Sequence, residues 1–542
     1  MIPLDAEMGH TSALVIDCNS ASRSVLVSLM RDFGVAEVTP ARRAQDARRM
    51  LEQQRFDIVV CDYHFDGEPV SGQDLMDDLR LAQLLPLSTV VVMISAEAGH
   101  AKVAEAAEAA LDAYLIKPHT ADALRQRLVD ARQRKRALRQ IIALIEKESY
   151  VEAAEMCQHR FETRGLAWLQ AARIGAELWL RLSKPHAAQR MFDAILEIGA
   201  VPWARLGVAR SQYDRGGTGQ ARRSLESLLK EQPGYSDAYD VMARVLLDQG
   251  LPDEALCASR EALSLTPGSV ARLVKHGLLA FFYGDPGEAG AALARAARFG
   301  LNSKVFDLQG LVLLAMVQFD KGDLRGLTQT WRSMTSARSG RLGSDRLRRF
   351  EAVINVMKLL LERQVTEAVA LARAQIGETR DPSFEFEAAC NLLALLTRLT
   401  RHELRLESLQ HDVLVLAQRF AVSRTTCELL VRSLQTDAAL AMIVRDAYAA
   451  ICSEAEDAVS NTLKSMPGEA AKLLLTRAES TLNAKLMDLA IQTMERHGQN
   501  IDGVEALRDR AQALHTRYRS YGTQVHLGDA GDTRTLSRLA KA

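Results

Sequence analysis

The sequence is poor in the residue types that build β-sandwiches. Phe, Trp and Tyr together make up 5% of the 542 residues, and there are only 13 prolines. Ala and Leu are abundant, whereas runs of β-branched residues are few. Because Ala and Leu favour helices while aromatic and β-branched residues favour strands, this composition favours closely packed helices.

The chain also lacks an excess of charge of either sign. Lys and Arg number 68, as do Asp and Glu, so the formal net charge is zero. This balance argues against a generally basic nucleic-acid binder and against an acidic disordered chain, although it leaves room for a local basic patch. Hydrophobic residues at 48% and charged residues at 25% are typical of globular proteins.

Paired cysteines and long apolar runs are absent as well. The seven cysteines are scattered and none forms a C-x-x-C pair, which is typical of reduced thiols in a cytosol. The strongly apolar segment Thr89–Ser95 is far shorter than the ~20 residues that span a bilayer. The first residues lack the basic and apolar regions of a signal peptide. We therefore expect a soluble, cytoplasmic protein without a membrane partner.

Four short apolar runs occur near the N-terminus, and amphipathic helical patterns separate them. The runs end at Asp17, Asp62, Ser95 and Lys117. Such alternation predicts βαβ units and a buried parallel sheet. Ligands of these sheets bind beyond the carboxyl ends of the strands, so the four side chains are expected to converge on one crevice.

These four residue types suit the transfer of a phosphoryl group to a carboxylate. Asp62 is the central acceptor candidate, and Asp17 is an acid that would face a divalent cation. Lys117 can pair with the resulting phosphate, and the Ser95 hydroxyl can hydrogen-bond to it.

Residues 11–130 resemble a response-regulator receiver domain of two-component signalling. Four segments in this order and spacing carry the resemblance: Leu14–Asp17, Asp57–Asp62, Met93–Glu97 and Ala113–Pro118. The resemblance implies an α/β flavodoxin-like fold with a doubly wound, five-stranded parallel sheet. It also implies that the receiver can form a homodimer.

The resemblance further assigns roles to single residues. Asp62 would be phosphorylated by a sensor histidine kinase or a phosphotransfer protein. Ser95 and Tyr114 would form the switch pair, Lys117 would bind the phosphate, and the peptide bond from Lys117 to Pro118 would be cis.

A Mg²⁺ site is the cofactor that the resemblance implies. Its ligands would be Asp17, Asp62 and the backbone carbonyl of His64. Receivers usually carry two acids after the first strand, and here Cys18 replaces the second. Because a thiol is a poor Mg²⁺ ligand, this replacement weakens the expected metal site.

The loop after Asp62 is longer than in typical receivers. The glycine that usually lies eight residues after the acceptor corresponds best to Gly72, ten residues on. The lengthened loop carries Asp66 and Glu68. Either one of these acids replaces the missing carboxylate, or the loop is simply a solvated acidic segment.

Beyond residue 130 the sequence is helical and repeats every 34 residues. Small residues recur at Ala187, Ala221, Ala255 and Ala289, and glycines recur at Gly216, Gly250 and Gly284. A further small residue lies twelve positions before each recurring alanine, at Gly175, Ala209, Ala243 and Gly277. The pattern resembles the tetratricopeptide repeat (TPR), which implies an all-α superhelix of stacked helix pairs.

The whole chain divides into segments by these patterns. We expect a flexible N-terminus at residues 1–10, a receiver domain at 11–130, connecting helices at 131–167, four TPR repeats at 168–301, degenerate TPR-like helices at 302–380, a C-terminal helical region at 381–519 and a disordered tail at 520–542.

TPR arrays bind proteins or peptides in a concave groove, and the resemblance implies such a ligand here. Aromatic and arginine side chains are the usual anchors of such interfaces. The alternative for each candidate is packing within or between repeats. The candidates in the groove register are Trp179, Trp203, Arg210, Tyr213, Arg244, Phe281 and Phe282.

These observations predict a two-component response regulator that is not an enzyme and whose output is protein binding. One alternative is a phosphorylation-independent pseudo-receiver that acts as a TPR adaptor scaffold, suggested by Cys18. An alternative of another class is a nucleic-acid-binding regulator acting through the basic helix at 125–139. That segment lacks interleaved aromatic residues, so nucleic acid is disfavoured as a partner.

Overall fold

The structure is a computed structural model. It describes residues 8–65, 71–81, 84–96, 112–199, 201–301, 306–339, 344–401, 408–434, 437–463 and 466–518. The described chain forms two compact units. The first contains the described residues up to 275, together with 298–301 and 306, and the second contains 276–297 and 307–518. The expected disordered tail at 520–542 lies outside the described residues.

A five-stranded parallel sheet begins the first unit and confirms the expected α/β architecture. The strands are β1 (Ser12–Ile16), β2 (Glu37–Ala41), β3 (Ile58–Asp62), β4 (Val90–Ser95) and β5 (Ala113–Ile116). Their order across the sheet is β2-β1-β3-β4-β5. The sheet ends at β2, which contains Pro40 and alternates between buried and exposed positions. This is why no apolar run marks β2 in the sequence.

Helices cover both faces of this sheet. The described helices around it are α1 (Ser20–Asp32), α2 (Ala44–Gln53), α3 (Gly72–Leu81) and α4 (Ala121–Ala137). One apolar cluster joins the sheet to α1 and α4, and another joins it to α2 and α3. The central strands β3 and β4 are buried at every position, because helices shield both of their faces.

Residues 8–10, part of the expected flexible N-terminus, are ordered in the structure, and residues 1–7 lie outside the described residues. Met8–His10 form a 3₁₀ turn, and Met8 is buried in the cluster that joins the sheet to α1 and α4. The Thr11 hydroxyl donates to the Met8 carbonyl at 2.8 Å. Burial of the Met8 side chain therefore fixes residues 8–10 against the core.

The rest of the first unit is helical where the structure describes it. Its helices are α5 (Arg139–Glu146), α6 (Tyr150–Glu162), α7 (Trp168–Arg181), α8 (Pro185–Leu196), α9 (Pro202–Asp214), α10 (Thr218–Glu231), α11 (Ser236–Asp248) and α12 (Pro252–Leu265). The helix α13 (Val270–Tyr283) and the helix α14 (Pro286–Gly300) contribute residues to both units.

The second unit is also all-helical where it is described. Its helices are α15 (Gln309–Asp320), α16 (Leu324–Ser339), α17 (Asp345–Leu361), α18 (Val365–Gly377), α19 (Phe386–Arg401), α20 (Leu409–Phe420), α21 (Arg424–Ser433), α22 (Ala438–Leu463), α23 (Pro467–Thr481), α24 (Ala484–His497) and α25 (Val504–Tyr518). Among the described residues, no helix is long and apolar enough to cross a membrane.

Several helices end in the same left-handed turn. Gly216 and Gly250 have φ of +80° and +75°. The amide of Gly216 donates to the Tyr213 carbonyl at 2.8 Å, and the amide of Gly217 donates to the Gln212 carbonyl at 2.9 Å. This bonding pattern satisfies the last carbonyls of a helix and reverses the chain. Ser183 occupies the corresponding position after α7 with φ of +54°.

Glycines also lie where helices approach one another closely. A Cβ atom at Gly175 would lie 2.7 Å from the Cβ of Cys157, and one at Gly277 would lie 2.6 Å from the Leu293 side chain. Such distances leave no room for a side chain without movement of the neighbouring helix. The small residues that the periodicity singled out at these positions are therefore required by packing.

Candidate functional site

Three of the sequence-predicted residues meet at the carboxyl end of the sheet. Asp62 ends β3, Asp17 follows β1 and Lys117 follows β5. The Lys117 Nζ atom lies 2.6 Å from Oδ2 of Asp62 and 3.6 Å from Oδ2 of Asp17. Parallel strands that end at the same edge thus bring two carboxylates and one ammonium group together.

Burial and charge set the protonation of Lys117. Asp17 is fully buried, the Asp62 side chain is 10% exposed and the Lys117 side chain is 28% exposed. Burial by itself lowers the pKa of Lys117, but the hydrogen bond and charge of Asp62, aided by Asp17, outweigh it and raise this pKa above its usual value. Lys117 is therefore a cation at neutral pH, and it partly offsets the repulsion between the two carboxylates.

The start of α1 holds the Asp17 carboxylate in place. The Asn19 amide donates to Oδ1 of Asp17 at 2.8 Å, and the Ser22 hydroxyl donates to Oδ2 at 2.6 Å. Sequence reasoning missed both residues. The available signal was the helix start itself, because Asn19 caps α1 by accepting from the Ser22 amide.

Ser95 and Tyr114, the expected switch pair, lie on neighbouring strands. Ser95 ends β4 and is fully buried, and its carbonyl accepts a hydrogen bond from the Lys117 amide at 2.7 Å. Tyr114 lies on β5, is half-buried and packs against the cluster that joins the sheet to α2 and α3. The peptide bond between Lys117 and Pro118 is cis, as expected. The switching role of the pair stays a prediction.

Cys18 occupies the place of the second acid and contacts the proposed metal-binding carbonyl. Its thiol donates to the His64 carbonyl over 3.8 Å, and the His64 amide donates to Oδ1 of Asp62 at 3.4 Å. Among the described residues, no group of three or more His, Cys, Asp or Glu side chains could hold a metal ion.

The oxygen donors nevertheless suit Mg²⁺, which is often held by one or two protein carboxylates together with water molecules. Asp17 and Asp62 converge on one cation, Lys117, and the His64 backbone is tied to the same cluster by its amide, which donates to Asp62. The loop acids Asp66 and Glu68 lie outside the described residues, so their expected role stays a prediction.

Gly72 lies directly against the acceptor residue. Its amide donates to the Tyr63 carbonyl at 2.7 Å. A Cβ atom at this position would lie 2.1 Å from the Asp62 carbonyl oxygen and 3.0 Å from the Cys61 sulfur. Glycine is required here because α3 starts in contact with the end of β3, and this supports the assignment made from the sequence.

The four groove candidates on α9 and α11, and their neighbours, already have partners in the chain. Arg210 binds both carboxylate oxygens of Glu177, at 2.9 and 3.1 Å. The Arg244 guanidinium lies 5.2 Å from the centre of the Tyr213 ring. The Trp203 ring packs edge-on against Phe192 at 6.3 Å.

Three other groove candidates are buried. Trp179 is 6% exposed, while Phe281 and Phe282 are 7% and 6% exposed. The rings of Phe281 and Phe282 meet edge to face at 5.2 Å. These three side chains leave little area for a ligand, which favours the alternative of packing within the helical core. Ligand binding by the groove stays a prediction.

The basic segment 125–139 directs several of its charges inward. Arg132 is 9% exposed and contacts the Met8 sulfur at 3.2 Å. Arg134 donates to the Asp112 carbonyl at 2.5 Å, and the Lys135 Nζ atom lies 3.1 Å from Oδ1 of Asp112. These contacts hold α4 against the sheet, so the charges serve the fold of the domain.

Comparison with known proteins identifies this domain. Residues 13–129 match the response regulator receiver domain family. The chain is 35% identical over 115 residues to the chemotaxis protein CheY-3 of Vibrio cholerae, and the match covers 21% of this chain and 86% of that protein. It is 32% identical to the chemotaxis protein CheY of Pseudomonas aeruginosa, over 21% of this chain and 90% of that protein.

A solved structure also matches, that of a response regulator receiver domain protein from Clostridium thermocellum. That match has 24% identity and a TM-score of 0.21, and it covers 24% of this chain and 98% of that one. The chain belongs to the response regulator receiver family through residues 13–129. The helices that follow residue 129 lie outside the family match.

Proposed function

We propose that Asp62 accepts a phosphoryl group from a sensor histidine kinase or a phosphotransfer protein. The observation that carries this proposal is the convergence of Asp62, Asp17 and Lys117, with a lysine ammonium 2.6 Å from the acceptor carboxylate. In the transfer, a carboxylate oxygen of Asp62 forms a bond to phosphorus while the P–N bond of the phosphohistidine breaks. The imidazole leaves with the electron pair of that bond and takes up a proton.

The surrounding residues have distinct tasks in this transfer. Lys117 pairs with the added negative charge, because it remains protonated and lies beside Asp62. Asn19 and Ser22 keep the Asp17 carboxylate oriented. Asp17, Asp62 and the His64 carbonyl would hold Mg²⁺, which when bound supplies positive charge against the repulsion between the phosphoryl donor and the carboxylates.

Intact mass spectrometry tests the transfer. The full chain is incubated with acetyl phosphate and MgCl₂ beside a competent receiver as positive control. We expect the wild type to gain the mass of one phosphoryl group, the Asp62→Asn variant to gain none, and the surface variant Asp32→Asn to behave as the wild type. An unmodified wild type beside a modified positive control would refute the proposal.

We further propose that the output of the receiver is protein binding by a TPR array. The support is the 34-residue period together with the left-handed turns that close helix pairs at Ser183, Gly216 and Gly250. In this proposal a protein or peptide occupies the groove beside Trp203 and Arg210, and phosphorylation of Asp62 changes its affinity. Pull-downs with phosphorylated wild type and with Asp62→Asn test this link, and equal partner sets and affinities would reject it.

A second candidate function is a phosphorylation-independent adaptor with a pseudo-receiver. The observation in its favour is the thiol of Cys18 at the place of the second acid, bonded to the His64 carbonyl. The two candidates differ in one measurement. An adaptor binds its partner equally well when Asp62 is replaced by Asn, whereas a switch does not.

A further inference from the structure

The opposite end of the receiver sheet carries a second charged cluster, centred on Asp112. The Asp112 amide donates to the Val91 carbonyl at 3.0 Å, and Oδ2 of Asp112 accepts from the Val91 amide at 2.9 Å. The other carboxylate oxygen pairs with Lys135 at 3.1 Å, and the Asp112 carbonyl accepts from Arg134 at 2.5 Å. Asp112, the residue immediately before β5, therefore ties the amino end of the sheet to α4.

Lys135 extends this connection to the helices that follow the receiver. Its ammonium also donates to the Leu87 carbonyl in the loop before β4. The Leu87 side chain packs against the apolar cluster formed by the helices after residue 137, whose first members are Leu138 and Ile141. Lys135 thus lies three residues before Leu138, the first member of that cluster, and binds the loop whose Leu87 side chain packs against the cluster.

Positive charge is in excess around this carboxylate. The side chains of Lys135 and Asp112 are 17% and 16% exposed. Burial and the nearby charges of Arg80 and Arg134 lower the pKa of Lys135, and Asp112 opposes them. Because Asp112 is the acid that Lys135 contacts, removing its charge leaves a mostly buried ammonium group without that compensation.

Strand β5 joins this cluster to the phosphorylation site. Asp112 precedes the strand and Lys117 follows it, so the two residues are separated by about 16 Å of extended chain. In the described sheet, β5 pairs with β4 alone, because it is the last strand in the order. A shift of Lys117 along the strand direction can therefore reach Asp112 without disturbing a second neighbouring strand.

We propose that Asp112 and Lys135 form a latch between the receiver and the first helices after it, and that β5 transmits the state of Asp62 to this latch. In the unphosphorylated chain Lys117 binds Asp62 and the latch is closed. When Lys117 turns to a phosphoryl group, β5 shifts, the contact of Asp112 with Lys135 weakens, and α5 and α6 loosen from the Leu87 loop. The transmission step rests on the proposed function, whereas the latch itself does not.

Hydrogen–deuterium exchange of the full chain tests both parts. The variants are Asp112→Asn, which keeps an acceptor for the Val91 amide, and Lys135→Gln, which breaks the same pair from the other side. Asp122→Asn is the matched control, because its partner Arg125 lies on the same helix and Asp122 is exposed. We expect amides of 139–162 to exchange about tenfold faster in both latch variants and unchanged in the control, with β3 unaffected. Wild-type exchange at 139–162 in both latch variants would overturn the latch.

The transmission arm adds acetyl phosphate and MgCl₂ and includes Lys117→Gln without phosphodonor. We expect faster exchange at 139–162 in phosphorylated wild type and in Lys117→Gln, and no response of Asp62→Asn to the phosphodonor. Unchanged exchange at 139–162 in Lys117→Gln, or in wild type whose phosphorylation is verified by mass, would overturn transmission. A wild type that gains no phosphoryl mass instead refutes the proposed function, while Lys117→Gln and the latch variants still decide this inference.

Discussion

The two ends of the receiver sheet carry opposite imbalances of charge. At the carboxyl end, Asp17 and Asp62 share the single ammonium group of Lys117. At the amino end, Asp112 binds both Lys135 and Arg134. The acid-rich end is the more open of the two, since Lys117 is 28% exposed and Lys135 only 17%.

This contrast distinguishes the proposed phosphorylation site from a structural cluster. Two carboxylates beside one lysine repel each other, so the carboxyl end gains stability from an added cation or a lysine contact. At the amino end the Asp112 carboxylate binds Lys135 and the backbone of β4, and the Asp112 carbonyl accepts from Arg134, so this end is a structural attachment. The same parallel sheet therefore carries the candidate phosphorylation site at the carboxyl end of its strands and an attachment to α4 at the amino end.

Filling the space beside Asp62 with a side chain is expected to cause the largest loss of stability among the changes described here. In Gly72→Ala the new methyl group would lie 2.1 Å from the Asp62 carbonyl oxygen, so β3 and α3 must move apart. We expect a loss of about 3 kcal/mol in the free energy of unfolding, measured by hydrogen exchange at β3. The control is Gly219→Ala, where nothing lies within 4 Å of the added Cβ. Equal exchange in the two variants would contradict the close approach.

Removing the shared cation is expected to have an intermediate effect with a distinct pH dependence. Lys117→Met leaves Asp17 and Asp62 without their lysine, and we expect a loss of about 2 kcal/mol near neutral pH. Because folding raises the pKa of Lys117, its contribution is complete below the unfolded pKa and is lost as pH rises through the folded one. The difference in unfolding free energy between wild type and Lys117→Met should therefore become smaller above pH 10.5.

Urea unfolding at a series of pH values measures this difference. Lys230→Met, at an exposed helix position, is the matched control and should change stability little at any pH. A difference between wild type and Lys117→Met that stays constant into the alkaline range would show that Lys117 acts by packing and not by charge.

The smallest expected effect comes from the residue that orients Asp17. Ser22→Ala removes a hydroxyl that donates to the buried carboxylate at 2.6 Å, and we expect a loss of about 1 kcal/mol. Ser24→Ala lies on the same helix and removes only an exposed bond to the Ser20 carbonyl. Thermal unfolding compares the two. If both variants unfold at the same temperature, the Ser22 hydroxyl does not stabilise Asp17.

The carboxyl end of the sheet was readable from the sequence because strand ends leave a local pattern. Each of the apolar runs that end at Asp17, Asp62 and Lys117 is contiguous, and parallel strands bring such ends together. Ser22 was missed because its bond to Asp17 depends on the angle at which α1 leaves the strand. The β2 strand was missed because its residues alternate in burial.

In the helical region, too, the sequence predicted some contacts but not others. The period located Gly175 and Gly277 at close helix contacts, because spacing along a helix decides which residues share a face. It also assigned Trp179, Phe281 and Phe282 to a groove, whereas the structure buries them. Register places a residue on a helix face, but the neighbouring side chains decide how much of it remains exposed.

By itself, the sequence determined the parallel sheet, the acceptor candidate Asp62 with its partners, and the helical character of the described residues after 130. Those properties follow from local periodicity and from the order of segments. Only the tertiary structure decided that Lys117 bridges two carboxylates, that Gly72 touches Asp62, and that the basic residues of α4 turn inward to Asp112. These contacts join residues as far apart in the chain as Asp17 and Lys117, and their distances depend on how strands and helices pack in three dimensions.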